Sequence, residues 1–202
     1  MEARPPSPRP SLPIQRPHVE AGRAWLSRQH SISGGVIGRA EQQRFVHYYP
    51  NDVAFLGWTD GKVHCALRHP KDERWVRFAE HSDEACAPVL LGDPSHVVLC
   101  AGGIAALKRL TELERNQASP PTVIVLRPNS PLVGLDRLGP ELRDQIAKAR
   151  EVTFAGFQPD AMFLRLLDQI RGVPPENTDY STPVDYDPVE EATTAPDPSK
   201  KN

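Results

Sequence analysis

The chain has 202 residues, with 24 Lys and Arg against 26 Asp and Glu, a formal net charge of −2 and 39% hydrophobic residues. That is room for one domain of ordinary size with tails. No run of about 18 apolar residues occurs, which excludes a membrane-spanning helix, and three cysteines without CxxC spacing exclude a disulfide framework or a structural zinc site.

Residues 1–18 hold six prolines and three arginines, Arg4, Arg9 and Arg16, with almost no apolar periodicity. They are expected to form a disordered basic arm. No basic start leads into an apolar core, so no secretory signal is expected, and a reducing cytoplasm is the natural setting.

From Val19 to Gln29 the spacing of Ala21, Ala24 and Trp25 predicts a helix. Ser33 is placed to cap a second helix running to Gln43. Aromatic and β-branched runs follow at 44–49, 53–58, 62–68 and 74–78, with an Asp60-Gly61 hairpin signal between two of them. They predict an antiparallel meander of about four strands. In its last strand Trp75 and Arg77 share one face, and Arg74, Val76 and Phe78 the other. Lys62, Arg68, Lys71, Arg74 and Arg77 outnumber the nearby acids Asp72 and Glu73. A basic hairpin carrying an aromatic such as Trp75 suits a phosphate backbone and a stacked base.

Three apolar runs, His96–Ala101, Thr122–Leu126 and Val152–Phe157, alternate with helical segments at 104–110, 140–150 and 159–171. Continuous apolar strands separated by helices predict a parallel sheet covered on both faces. Ligands of such sheets sit at the carboxyl ends of the strands. Cys100, next to last in an apolar run, reads as core. From 173 onward the chain is again Pro-rich, with seven acids against Lys200 and Lys201. Without this acidic tail the remaining charge is +3, a lean toward nucleic acid. The expected division is a basic arm at 1–18, helical pair plus meander at 19–92, α/β domain at 93–172 and a disordered acidic tail at 173–202.

The order of elements from His96 to Arg171 resembles the Toprim fold, the catalytic module of topoisomerases, primases and some nucleases. Residues 26–77, through the phrase Tyr49-Pro50-Asn51-Asp52-Val53-Ala54-Phe55-Leu56-Gly57 and the basic strand ending at Arg68, resemble the small domain that often precedes Toprim in plasmid mobilisation and replication proteins. The resemblance implies an α/β Toprim-like fold. It also implies a glutamate-glycine pair after the first parallel strand and two aspartates spaced by one residue after the third, holding Mg²⁺ for phosphoryl chemistry. Here the first place reads Ala101-Gly102, and the third strand leads into Gln158 and Asp160 without an aspartate pair. Asp160 is also well placed as a helix cap.

Taken together, the resemblance and the missing acids imply a non-catalytic Toprim-like protein. It would serve as a DNA-binding or accessory factor in plasmid-type mobilisation or replication. The expected partners are DNA or a DNA-processing protein, with no membrane and no cofactor. Two alternatives stay open: a metal-dependent primase or nuclease using displaced acids such as Asp136 and Asp160, the one case that requires Mg²⁺, and a purely protein-binding module.

Overall fold

The computed structural model describes residues 16–71 and 76–172. Among them the chain forms helices α1 (Arg16–His30) and α2 (Gly34–Gln42), then strands β1 (Val46–Tyr48), β2 (Asp52–Thr59), β3 (Lys62–Pro70) and β4 (Arg77–Phe78). Next come β5 (Val89–Leu90), β6 (Asp93–Ala101), α3 (Gly103–Arg115), β7 (Pro121–Leu126), α4 (Pro131–Asp136), α5 (Pro140–Lys148), β8 (Glu151–Ala155) and α6 (Ala161–Arg171). Arg4 and Arg9 of the expected basic arm, and the acidic segment from 173, lie outside the described residues. Residues 16–18, expected to belong to that arm, are helical instead: α1 starts at Arg16, and a proline is tolerated in a helix's first turn.

The helical pair is set by local chemistry. Ser33 Oγ accepts from the Val36 N–H at 3.1 Å and caps α2. Val36, Ile37 and Ala40 then fall on the buried face. The meander follows as four antiparallel strands in the order β1-β2-β3-β4. Asp60 and Gly61 both have positive φ, 51° and 73°, as a two-residue hairpin of the primed type needs to match the twist of β2 and β3.

The second sheet has the order β5-β7-β6-β8, with β6 parallel to both β7 and β8. The three apolar runs expected to share a sheet do so. β8 stops at Ala155 rather than Phe157, because Gly156 turns the chain with φ 77°. Two elements go beyond the sequence reading. Val89–Leu90 adds an antiparallel edge to β7, drawing residues from before position 93 into this sheet. The Pro/Gly stretch after β7 is not all loop: Pro131 opens the short helix α4, whose Leu135 is fully buried.

Alternation along the parallel strands divides the interior in two. Val98, Cys100, Val123 and Val125 point toward α1, α2, α3 and the meander, where Leu26, Phe45, Phe55, Leu67 and Leu107 complete one buried cluster. Val97, Leu99, Ile124 and Leu126 point the other way, toward Phe154 and the α4–α6 side residues Leu135, Ile146, Phe163 and Leu167. Cys100 is fully buried in the first cluster, as its place in an apolar run implied, and burial pushes its thiol well above the usual range.

Asp160 caps α6, its Oδ1 accepting from the Phe163 N–H at 2.8 Å. Asp160→Ala is expected to cost about 1 kcal/mol, the usual worth of such a cap, while Asp160→Ser should recover most of it. Urea unfolding of the three proteins checks this.

Candidate nucleic-acid interface

The carboxyl ends of β6, β7 and β8 lie side by side, so the residues after each can be compared directly. After β6 come Ala101 and Gly102, and Gly102 is the N-cap of α3 without a side-chain cap. After β7 comes Arg127, whose Nη2 lies 3.3 Å from Glu84 Oε1 and whose guanidinium sits 5.2 Å from the Phe78 ring centre. Glu84 also binds Arg137. After β8, Phe157 packs edge-on against Phe154 and Phe163, with ring centres 5.8 and 5.1 Å away, and Gln158 is exposed.

The two acids of the displaced-ligand alternative are already engaged. Asp160 caps α6, and Asp136 Oδ1 lies 3.7 Å from Arg143 Nη2. Among the described residues no group of three His, Cys, Asp or Glu is placed to hold a metal ion.

The meander has a different character on its two faces. Val46, Val53, Phe55, Leu67 and Phe78 face the core. The register then places His47, Ala54, Arg68 and Arg77 in one row across all four strands on the other face. Arg68 and Arg77 are direct cross-strand partners, an arrangement that repels when both are charged. Arg68 has a counter-charge, because its guanidinium binds the buried carboxylate of Asp52. The same guanidinium stacks over Tyr49 at 5.2 Å, and Tyr49 meets the His47 ring edge-on at 4.8 Å. Arg77 is exposed and has no ion pair among the described residues. Lys71 Nζ donates to the carbonyls of Pro50 at 3.0 Å and Tyr49 at 3.3 Å, which pins the β1–β2 turn beside the row.

Of the six basic and aromatic residues expected to bind nucleic acid, Arg68, Lys71 and Arg77 gather at this face. Arg74 and Trp75 lie outside the described residues. Lys62 does not join the row. A bulge between Gly57 and Trp58 shifts the register, so Lys62 pairs with Thr59 on the core side, although even numbering alone would put it with Arg68. His47 and Tyr49, which sequence reasoning passed over, complete the patch. Their only sequence signal is two aromatic rings at strand spacing, and Arg68, which makes it meaningful, comes from β3, beyond the neighbouring strand β2.

No family profile matches this chain, and neither a curated protein nor a solved structure matches it.

Proposed function

We propose that this protein binds nucleic acid through the outer face of its antiparallel meander. It would act as a non-catalytic, Toprim-like accessory factor in plasmid-type DNA mobilisation or replication. The observation that carries the reading is the row His47–Ala54–Arg68–Arg77, flanked by Tyr49. Ala54 itself is fully buried, and the Arg68 guanidinium reaches the Tyr49 ring, so cations and rings meet in one patch. A phosphate between Arg68 and Arg77 would relieve their mutual repulsion, and the Tyr49 and His47 rings offer stacking surface to a base. The accessory role follows from Ala101 and Gln158, which supply no anionic ligand at the strand ends where the resembled family carries its acids.

The test is fluorescence anisotropy with a labelled single strand and the matching duplex. Arg77→Glu avoids both the Arg68–Asp52 pair and the turn that Lys71 pins, and so preserves the fold; Lys71→Glu removes the two bonds to that turn, so its circular dichroism is compared with wild type first. Each is expected to weaken binding about tenfold or more, as the loss of a charge-assisted phosphate contact implies. Unchanged affinity in both variants would leave the face as ordinary solvated surface and favour the protein-binding alternative.

A further inference from the structure

The structure brings together two side chains that the proposed function leaves unused. Cys65 lies on β3 directly opposite Gly57 of β2 and is 2% exposed. Cys86 arrives from the segment after β4, which runs along the free edge of β3. The Ala79 and Asp83 N–H groups donate to the carbonyls of Ala66 and His64, each at 2.8 Å. The missing side chain of Gly57 makes the space in which both thiols sit. A Cβ there would overlap Cys65 Sγ and lie 2.7 Å from Cys86 Sγ. The two sulfurs therefore converge on the same point above that glycine.

Their surroundings differ. The neighbouring Cys86 thiol, and then burial, push the Cys65 thiol far up. The neighbouring Cys65 thiol holds the Cys86 thiol below its ordinary value, against the opposing effect of burial. Cys86 is half-buried and lines a narrow crevice with Phe78, Glu84 and Arg127, and is the more accessible residue of the two. Thiolate character and access select the attacking cysteine.

We propose that Cys65 and Cys86 form a thiol–disulfide site, in which Cys86 reacts with a small hydroperoxide and Cys65 closes an intramolecular disulfide. In the first step the Cys86 sulfur attacks a peroxide oxygen and the O–O bond breaks. Sulfur is oxidised by two electrons to a sulfenic acid, and the departing oxygen leaves protonated with the thiol proton. In the second step the Cys65 sulfur attacks the sulfenic sulfur and the S–O bond breaks. The hydroxyl leaves as water with the Cys65 proton. With hydrogen peroxide the balance is two thiols and one peroxide to one disulfide and two waters. The new bond ties β3 to the segment that carries the chain from the first sheet into β5. Cys100, sealed between β6 and α3, takes no part.

The full chain is treated with hydrogen peroxide, acid-quenched, alkylated after denaturation and mapped by peptide mass. The expected result is a fall in alkylatable thiols from three to one. A single linked peptide pair should contain Cys65 and Cys86, lighter by two hydrogens and restored by dithiothreitol. Cys65→Ser should accumulate a dimedone-trapped sulfenic acid at Cys86, and Cys86→Ser should leave Cys65 alkylatable. The wild-type result stands whether or not either variant folds. The proposal is overturned by wild-type protein that retains all three thiols, that carries Cys86 as sulfinic acid beside a free Cys65, or that forms its disulfide through Cys100 or a second chain.

Discussion

Phe55→Ala should lower the free energy of unfolding by about 3–5 kcal/mol, at the upper end for a single truncation. Against a typical total of about 5–15 kcal/mol, the variant would be barely folded at room temperature. Phe55 is fully buried on β2, with its ring centre 5.5 Å from that of Phe45. It also abuts the first turn of α3, because a Cβ on Gly103 would overlap its ring. The ring therefore joins the meander to the helix that covers the parallel sheet, and truncating it opens a cavity where several elements meet. Gly103→Ala in the intact protein should cost about 1–3 kcal/mol through overpacking. Combined with Phe55→Ala it should cost less than the sum, because the new methyl enters the vacated space. Urea unfolding of both single variants and the double variant measures this coupling, and strict additivity would show that the ring does not seat on Gly103.

Stability should also fall on the acid side, from a cluster that has no bearing on binding. The rings of Trp25, His30 and His69 meet edge-on, with centres 4.4, 5.3 and 6.0 Å apart. Trp25 Nε1 and His30 Nε2 are buried without a hydrogen-bond partner among the described residues. Burial, then the neighbouring charges of His69 and Lys108, lowers His30 from 6.5 to about 4. Burial lowers His69 as well, partly offset by the Pro70 carbonyl.

A histidine whose folded pKa is depressed binds protons more readily when unfolded. Its contribution is therefore fully present above about pH 6.5 and is lost as the pH falls toward 4. The shift corresponds to about 3 kcal/mol, and since His30 is only half-buried about 2 kcal/mol is the reasonable expectation. Denaturant midpoints should drop between about pH 7 and pH 4.5 in the wild type, and the drop should shrink in His30→Leu. A drop of equal size in both proteins would assign the acid sensitivity to other groups.

The parallel strands were legible because each is buried on both faces and so reads as an unbroken apolar run, Val97–Cys100 and Val123–Leu126 above all. The hairpin and both caps were legible because Asp60-Gly61, Ser33 and Asp160 act through their immediate neighbours. What escaped depends on partners distant in sequence. β5 is two residues long between Pro88 and Gly92, too short for any period to show. α4 hides in a composition that reads as loop. The bulge that turns Lys62 away from Arg68 leaves no local mark, and neither does the register that sets His47 beside Ala54 and Arg68. The Cys65–Cys86 approach is invisible for the same reason, since a glycine on a third segment makes the space for it.

The proposed nucleic-acid interface is tested most directly by the salt dependence of binding. The affinity of the full chain for a labelled single strand is measured across a series of salt concentrations, and log affinity is plotted against log salt. Phosphate contacts from Arg68, Lys71 and Arg77 should give a slope of about −2 for a single strand, since each neutralised phosphate contributes about −0.7. Arg77→Glu should flatten that slope by close to one contact. A wild-type slope near zero, or one that Arg77→Glu and Lys71→Glu leave unchanged, would contradict binding at the outer face of the meander.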